Sequence, residues 1–119
     1  MKFTGVLVNL DGQPDSFGDV IDSDCEIDIA EKIFVLYEFD QESLLGFAKL
    51  VKEDSTIKYE IEITNDCLPE EDIKLLAPCV GGSILKREGR KITKMSVNHI
   101  GLSIEGNSDP RIKSMGEQK

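Results

Sequence analysis

The segment TIKYEIEIT, residues 56–64, constrains the fold of this chain more than any other stretch. Its apolar residues Ile57, Tyr59, Ile61 and Ile63 alternate with the charged residues Lys58, Glu60 and Glu62. Successive side chains of a β-strand point to opposite faces, so a period of two predicts a strand with one buried and one solvated face. Half-buried strands of this kind are typical of antiparallel sheets.

Several other segments also have the character of strands. Residues 3–10, 32–39 and 44–51 are apolar on both faces, which is typical of central strands. Two hairpins are predicted, one through KEDST and one through Glu88-Gly89-Arg90. The one helical segment is PEEDIKLLAP, whose proline and acidic residues suit a helix start. We therefore expect a mainly β fold, a small antiparallel β-barrel or sandwich with at most one short helix.

The length of 119 residues indicates a single domain. We expect residues 1–105 to form the barrel domain and residues 106–119, which are polar and contain Gly and Pro, to form an extended C-terminal tail. No apolar run approaches the roughly 20 residues of a membrane helix, and Met1-Lys2-Phe3 leads directly into a strand without a signal-peptide core. These observations predict a cytoplasmic protein with no membrane partner.

The charge is strongly asymmetric along the chain. The formal net charge is −9; residues 1–60 hold 14 acidic and 5 basic residues, whereas residues 61–119 hold 9 of each. Binding to phosphate backbones requires a basic footprint, so nucleic acid is disfavoured as a partner. The acidic half indicates either simple solubility or a face that docks on a basic protein surface. The basic residues around REGRK are expected at a solvated hairpin tip.

The acidic segment 11–31 is predicted to be a loop with a short strand inside it. The alternation of Asp22, Asp24 and Glu26 is similar to that of a calcium-binding loop. Such a loop needs glycine at its sixth position and a bidentate glutamate at its twelfth, and this chain has Ile27 and Ile33 there. We therefore expect no calcium site.

The sequence also lacks the patterns of zinc and cofactor sites. Cys25, Cys67 and Cys79 are widely spaced and His99 is the single histidine, whereas structural zinc needs four ligands at short spacings. The cysteines are expected to be free thiols. Phosphate-binding and common catalytic motifs are absent, so no metal and no cofactor are predicted.

Four pieces, taken in order, resemble the phage prohead (capsid maturation) protease family, whose β-barrel is shared with herpesvirus assemblins. FTGVLVN is similar to the first strand of that family, and DSFGDVID to the loop that follows. YEFD and LLGFAKLVKEDSTIKYEIEI resemble its strand, histidine-containing turn and hairpin, and VNHIGLSIEGNSDPRI resembles the serine-bearing strand. The resemblance implies a barrel that acts in phage head assembly.

The catalytic positions depart from that family, in which a histidine activates a serine nucleophile. Phe39 stands where the histidine is expected, and phenylalanine cannot accept a proton. At the serine position the chain offers Gly101, Leu102 or Ser103, of which only Ser103 has a hydroxyl.

An active site would therefore need another base. His99 precedes Ser103 by four residues on one strand, about 13 Å, which is too far for a dyad. If the chain is active, Ser103 is expected to work with Glu38 or Asp40, and a carboxylate about 3 Å from its hydroxyl would favour that hypothesis.

Three hypotheses follow. The favoured one is a non-enzymatic phage or prophage structural protein, present in the host cytoplasm or the virion, that binds a capsid or other virion protein and is compatible with a homo-oligomer. The first alternative is an active, divergent serine protease of capsid maturation. The second alternative is an unrelated small β-barrel that binds proteins.

Overall fold

The computed structural model describes residues 1–118, which form six strands and one short helix. The elements are β1 Lys2–Asn9, β2 Val20–Tyr37, β3 Leu44–Glu53, β4 Thr56–Ile63, α1 Glu70–Ile73, β5 Ala77–Glu88 and β6 Lys91–Ser103. The expected mainly β fold with at most one short helix is confirmed, as are both hairpins. Within residues 1–118, the single helix spans four residues and is too short to cross a membrane.

All six strands belong to one sheet, in the order β1-β4-β3-β2-β6-β5. Neighbouring strands are antiparallel except for β2 and β6, which run parallel and depart from the expected antiparallel pattern. The two end strands, β1 and β5, do not pair with each other. The sheet is therefore open, and it is not a closed barrel.

The alternation in β4 is confirmed. Its four apolar residues from Ile57 to Ile63 are buried, while Lys58, Glu60 and Glu62 are exposed. The buried face packs against apolar side chains of the other strands, among them Leu7, Ile33, Val35, Ile100 and Leu102. The main core thus lies on the face of the sheet that carries these side chains.

The acidic segment is not a loop with a short strand, because β2 begins at Val20 and runs unbroken through residues 20–31. Its acidic side chains lie against the basic residues of the β5–β6 hairpin. We call these contacts the charge ladder: Asp19–Arg87 at 3.1 Å, Asp22–Lys91 at 3.4 Å, Asp24–Lys91 at 3.3 Å and Glu26–Lys94 at 3.9 Å. Exposed pairs contribute about 0–1 kcal/mol each. The ladder therefore matters more for the pairing of β2 with β6 than for total stability.

The C-terminal residues do not form the extended tail that we expected. Residues 106–118 fold back across the gap between β1 and β5, and Ile112 and Met115 are buried. Met115 N donates to Leu76 O at 2.8 Å, and Val6 N on β1 donates to Gln118 Oε1 at 2.6 Å. Burial of two apolar side chains and satisfaction of an edge-strand amide hold this segment in place. Residue 119 of the predicted tail lies outside the described residues.

The segment also carries an ion-pair clamp. The guanidinium of Arg111 contacts both Asp11 and Asp109, and its hydrogen bond lowers the pKa of Asp11. Asp109 in turn accepts a hydrogen bond from Asn9 Nδ2 at 3.1 Å. The clamp joins the start of the C-terminal segment to the end of β1.

A bulge interrupts β6 at Asn98, where the apolar residues change phase from Met95 and Val97 to Ile100 and Leu102. His99 pairs with Gly81 and Val97 with Gly82, so Asn98 has no partner on β5. The extra residue returns Ile100 and Leu102 to the buried face and places His99 on the outer face. Gly81 is required there, because a Cβ atom would collide with the imidazole of His99.

Candidate docking site

The turn that joins β2 to β3 contains two residues in an unfavourable backbone conformation. Glu38 has φ 51° and Phe39 has φ 60°, and Asp40 N donates to Tyr37 O at 3.0 Å. Two positive φ values in succession define a type I′ turn, for which Asn-Gly is the usual sequence. A left-handed conformation costs a non-glycine residue about 1–2 kcal/mol. The contacts of the Glu38 and Phe39 side chains must therefore offset the conformational free-energy cost of this turn.

Glu38 is anchored to the end of β6 through both carboxylate oxygens. Ile104 N donates to Oε1 at 2.8 Å, and Ser103 Oγ donates to Oε2 at 3.2 Å. The structure thus brings together two of the three residues predicted for an active site. Asp40 is used within its own turn, where it accepts hydrogen bonds from Glu42 N at 2.9 Å and Ser43 Oγ at 3.1 Å.

The surroundings of Ser103 favour a structural role for this pair. Ser103 is only 7% exposed, and its Oγ also accepts a hydrogen bond from Glu105 N at 3.2 Å. The carboxylate of Glu38 therefore binds the backbone of Ile104 and the side chain of Ser103, and the Ser103 hydroxyl binds the backbone of Glu105. A nucleophile needs access to a substrate carbonyl as well as a base. His99 is not part of this cluster, since its Nδ1 bonds Asn98 Oδ1 at 2.5 Å.

The thiol of Cys79, which lies near Glu38, is not activated as a nucleophile either. Burial, with a further contribution from the charge of Glu38, raises the pKa of Cys79 to about 11. Its Sγ donates to Gly106 O at 3.3 Å. A nucleophilic cysteine requires a lowered pKa, so this residue is a structural thiol.

Phe39 is the second anchor of the turn. Its ring lies on Gly101, where a Cβ atom would stand 2.5 Å from the ring carbons, and packs edge-on against His99 with centroids 5.6 Å apart. Even so, 42% of Phe39 remains exposed. The residue that replaces the expected histidine is thus held by a strained turn with much of its ring in solvent.

A second exposed aromatic group lies on the same face of the sheet. Phe34 on β2 is 41% exposed and packs against Phe47 on β3 with centroids 5.8 Å apart. Lys32 Nζ lies 4.6 Å from the Phe47 centroid and 5.6 Å from that of Phe34. These distances place its charge over the two rings as a cation–π contact.

Between the two exposed rings is a groove of about 570 Å³, which we call the aromatic groove. Its lining side chains are Ala30, Lys32, Phe34, Leu36, Phe39, Gln41, Leu44, Asn98 and His99. It lies on the outer face of the sheet, where Phe34 and Phe39 are exposed. Single exposed apolar residues are normal on protein surfaces, whereas a groove flanked by two aromatic rings is a candidate binding site.

The carboxylates of the acidic segment form ion pairs with a lysine of β6. Asp22 and Asp24 contact Lys91, and their hydrogen bonds raise the pKa of this lysine. Within residues 1–118 no group of three or more histidine, cysteine or acidic side chains converges as a metal ion would require.

Comparisons of this chain with models of known protein families, with curated proteins and with solved structures found no match. The resemblance to prohead proteases therefore stays a prediction.

Proposed function

We propose that this protein is a non-enzymatic docking component that binds a partner protein through the aromatic groove. The observation that carries the proposal is the presentation of Phe39, 42% exposed, by a turn with two left-handed residues. Conformations of this cost persist where the surrounding structure enforces them, and they cluster at ligand clamps and other functional sites. If the turn served only to connect β2 and β3, the sequence Asn-Gly would adopt it at a lower free-energy cost.

The composition of the groove suits a protein partner. Aromatic residues are enriched in the centres of protein interfaces and contribute most of the binding energy there. Phe34 and Phe39 are both held by neighbouring rings, so little conformational freedom is lost when a partner covers them.

The identity of the partner follows from the resemblance to prohead proteases. We propose that the partner is a capsid or other virion protein and that the chain acts during head assembly, in the host cytoplasm or in the virion. The replacement of the expected histidine by Phe39 supports the loss of catalysis in favour of binding. A small binding module unrelated to phage would use the same groove, and the genes beside this one would distinguish the two.

The test is a binding assay with the virion proteins encoded beside this gene. We expect the double variant Phe34→Ser/Phe39→Ser to bind at least about 30-fold more weakly, since aromatic hot spots contribute about 2 kcal/mol or more. The matched control is Val51→Ser/Leu75→Ser, which also removes two exposed apolar side chains but outside the groove. Equal binding by the two double variants, or no binding of any virion protein by the native chain, would refute the proposal.

The second candidate function, a serine protease, is favoured by one observation, the 3.2 Å distance from Ser103 Oγ to Glu38 Oε2. We expect no such activity, because both groups are engaged in structural hydrogen bonds and loss of a triad base typically lowers rates by about 10⁴ or more. The measurement is labelling by a fluorophosphonate probe, alongside cleavage of a capsid-derived substrate. Labelling that disappears in Ser103→Ala but persists in Ser96→Ala would revive the protease hypothesis.

A further inference from the structure

A second cavity lies at the gap between β1 and β5 and shares no lining residue with the aromatic groove. It has a volume of about 290 Å³, and we call it the gap cavity. Leu7, Ile92 and Met95 are its most buried lining residues, whereas Phe17 and Ile84 are exposed. The inner wall of the cavity is therefore apolar, and Phe17 and Ile84 lie at its mouth.

The charged side chains that line this cavity are all acidic. They are Asp15, Asp19 and Asp109, and the described part of the chain contributes no lysine, arginine or histidine to the lining. Asp19 and Asp109 already have ion pairs, with Arg87 and Arg111. Asp15 is half-buried and, within residues 1–118, forms no ion pair. A partly desolvated carboxylate without a counter-charge favours a cation beside it.

Phe17 is held at the mouth of the gap cavity by its backbone. Its N–H donates to Asp15 Oδ1 at 2.9 Å, and its carbonyl oxygen accepts from Arg90 Nη1 at 3.0 Å. The preceding residue is also fixed, because Ser16 N donates to Ser108 O at 2.8 Å. The Phe17 side chain nonetheless stays in solvent, with the residue 72% exposed. An aromatic face attracts cations, so this ring and Asp15 favour the same charge at the mouth.

These features together fit one class of ligand. The apolar inner wall suits a hydrocarbon body, while the carboxylate and the aromatic ring at the mouth suit a positive charge. A volume of about 290 Å³ is at the lower end for small-molecule sites, which span about 300–1,000 Å³. We propose that the gap cavity binds a small organic cation, an ammonium group on an apolar body. This inference does not rest on the docking function of the aromatic groove.

Other ligands fit the gap cavity less well. An anion would be repelled by Asp15 and by the formal net charge of −9. A metal ion needs several converging ligands, and within residues 1–118 no group of three or more histidine, cysteine or acidic side chains converges. A lysine side chain of a partner protein has its charge at the tip, so it would bring the ammonium to the apolar inner wall and not to the acidic mouth.

The test is an NMR titration with three probes of equal chain length, hexylamine, hexanol and hexanoate, which are cationic, neutral and anionic at pH 7. We expect saturable binding of hexylamine at least about tenfold tighter than that of hexanol, because a contact with a charged group contributes about this factor. Hexanoate should not bind. The amide shifts should centre on Phe17, Val80 and Ile84, which line the cavity.

The matched variants are Asp15→Asn and Asp28→Asn. Both remove one negative charge from the chain, but Asp28 is exposed on β2 and does not line the cavity. Asp15→Asn should remove the advantage of hexylamine over hexanol and leave hexanol binding unchanged, since asparagine keeps the oxygen that accepts from Phe17 N and Asp19 N. Asp28→Asn should keep the advantage at about tenfold.

Each outcome decides the inference. Equal affinities for the three probes, an equal effect of the two variants, or shifts centred away from the gap cavity would overturn it. A lysine blocked at both backbone ends is the last probe, since it has the same ammonium on a stem whose other end is polar, and we expect it to bind more weakly than hexylamine. Binding as tight as that of hexylamine would instead assign the cavity to a protein side chain. The docking function is tested separately, through Phe34 and Phe39.

Discussion

Replacement of Ile61 by alanine is expected to lower the free energy of unfolding by about 3 kcal/mol, within the usual range of 2–5 kcal/mol for this change in a core. Ile61 is 0% exposed and lies in the middle of the sheet, opposite Phe3 on β1 and Ala48 on β3. Strands enclose it on both sides, so the surroundings cannot collapse into the cavity. Domains of this size are stable by about 5–15 kcal/mol, and one substitution would remove much of that margin.

The measurement is urea denaturation followed by circular dichroism, with an unchanged slope expected. The controls are Glu60→Ala and Glu62→Ala, the sequence neighbours on the solvated face of β4, for which we expect changes within about 0.5 kcal/mol. Similar losses for all three variants would mean that β4 does not have one buried and one solvated face.

Truncation after Glu105 is expected to destabilise the protein by about 3–6 kcal/mol. The removed residues include Ile112 and Met115, which are 6% and 2% exposed, and burial of an apolar side chain of this size contributes about 1.5–3 kcal/mol. Their loss would also uncover Leu76 and the outer edge of β1. The truncated chain should bind hydrophobic dyes and unfold at a much lower urea concentration.

Two point variants within the same segment serve as controls. Met115→Leu conserves volume and should cost less than about 1.5 kcal/mol. Arg111→Gln breaks an exposed ion-pair clamp and should cost less than about 1 kcal/mol. A truncated chain with the same urea midpoint as the full chain would show that this segment contributes nothing to the fold.

The strands and hairpins could be predicted because their signals are local. In β4, each apolar residue is followed by a charged one, and no other element is needed to assign its faces. The bulge at Asn98 also has a local signal, since the apolar residues of β6 change phase there.

Structure that depends on distant residues could not be predicted. Aspartate and glutamate are depleted in strands, so residues 20–31 had the composition of a loop. Their strand conformation involves pairing with residues 91–97 of β6, which are far away in the sequence. Likewise, Ile112 and Met115 are isolated apolar residues in a polar stretch, and only the gap between β1 and β5 gives them a place to pack.

The candidate site was predictable only in part. For the case of an active chain, Glu38 or Asp40 was expected to work with Ser103, and the structure brings Glu38 into hydrogen-bond contact with it. The aromatic groove was missed because residues 32–39 are apolar on both faces, which predicted burial on both. One signal could have revealed it: a chain with a single four-residue helix has no second layer to cover the outer face of β2.

The parallel pairing of β2 with β6 has a consequence for how the chain reaches its native state. The hairpins β3–β4 and β5–β6 close over turns of two residues, whereas Val20 must find Lys91 across most of the chain. Loop closure over such a separation is entropically costly, and non-local pairing slows folding. We therefore expect the hairpins to form early and the docking of the acidic strand onto the basic hairpin to limit the rate. Opposite charges attract over about 10 Å at 0.1 M salt and over shorter distances at higher salt, so added salt should slow this encounter much more than it lowers the final stability.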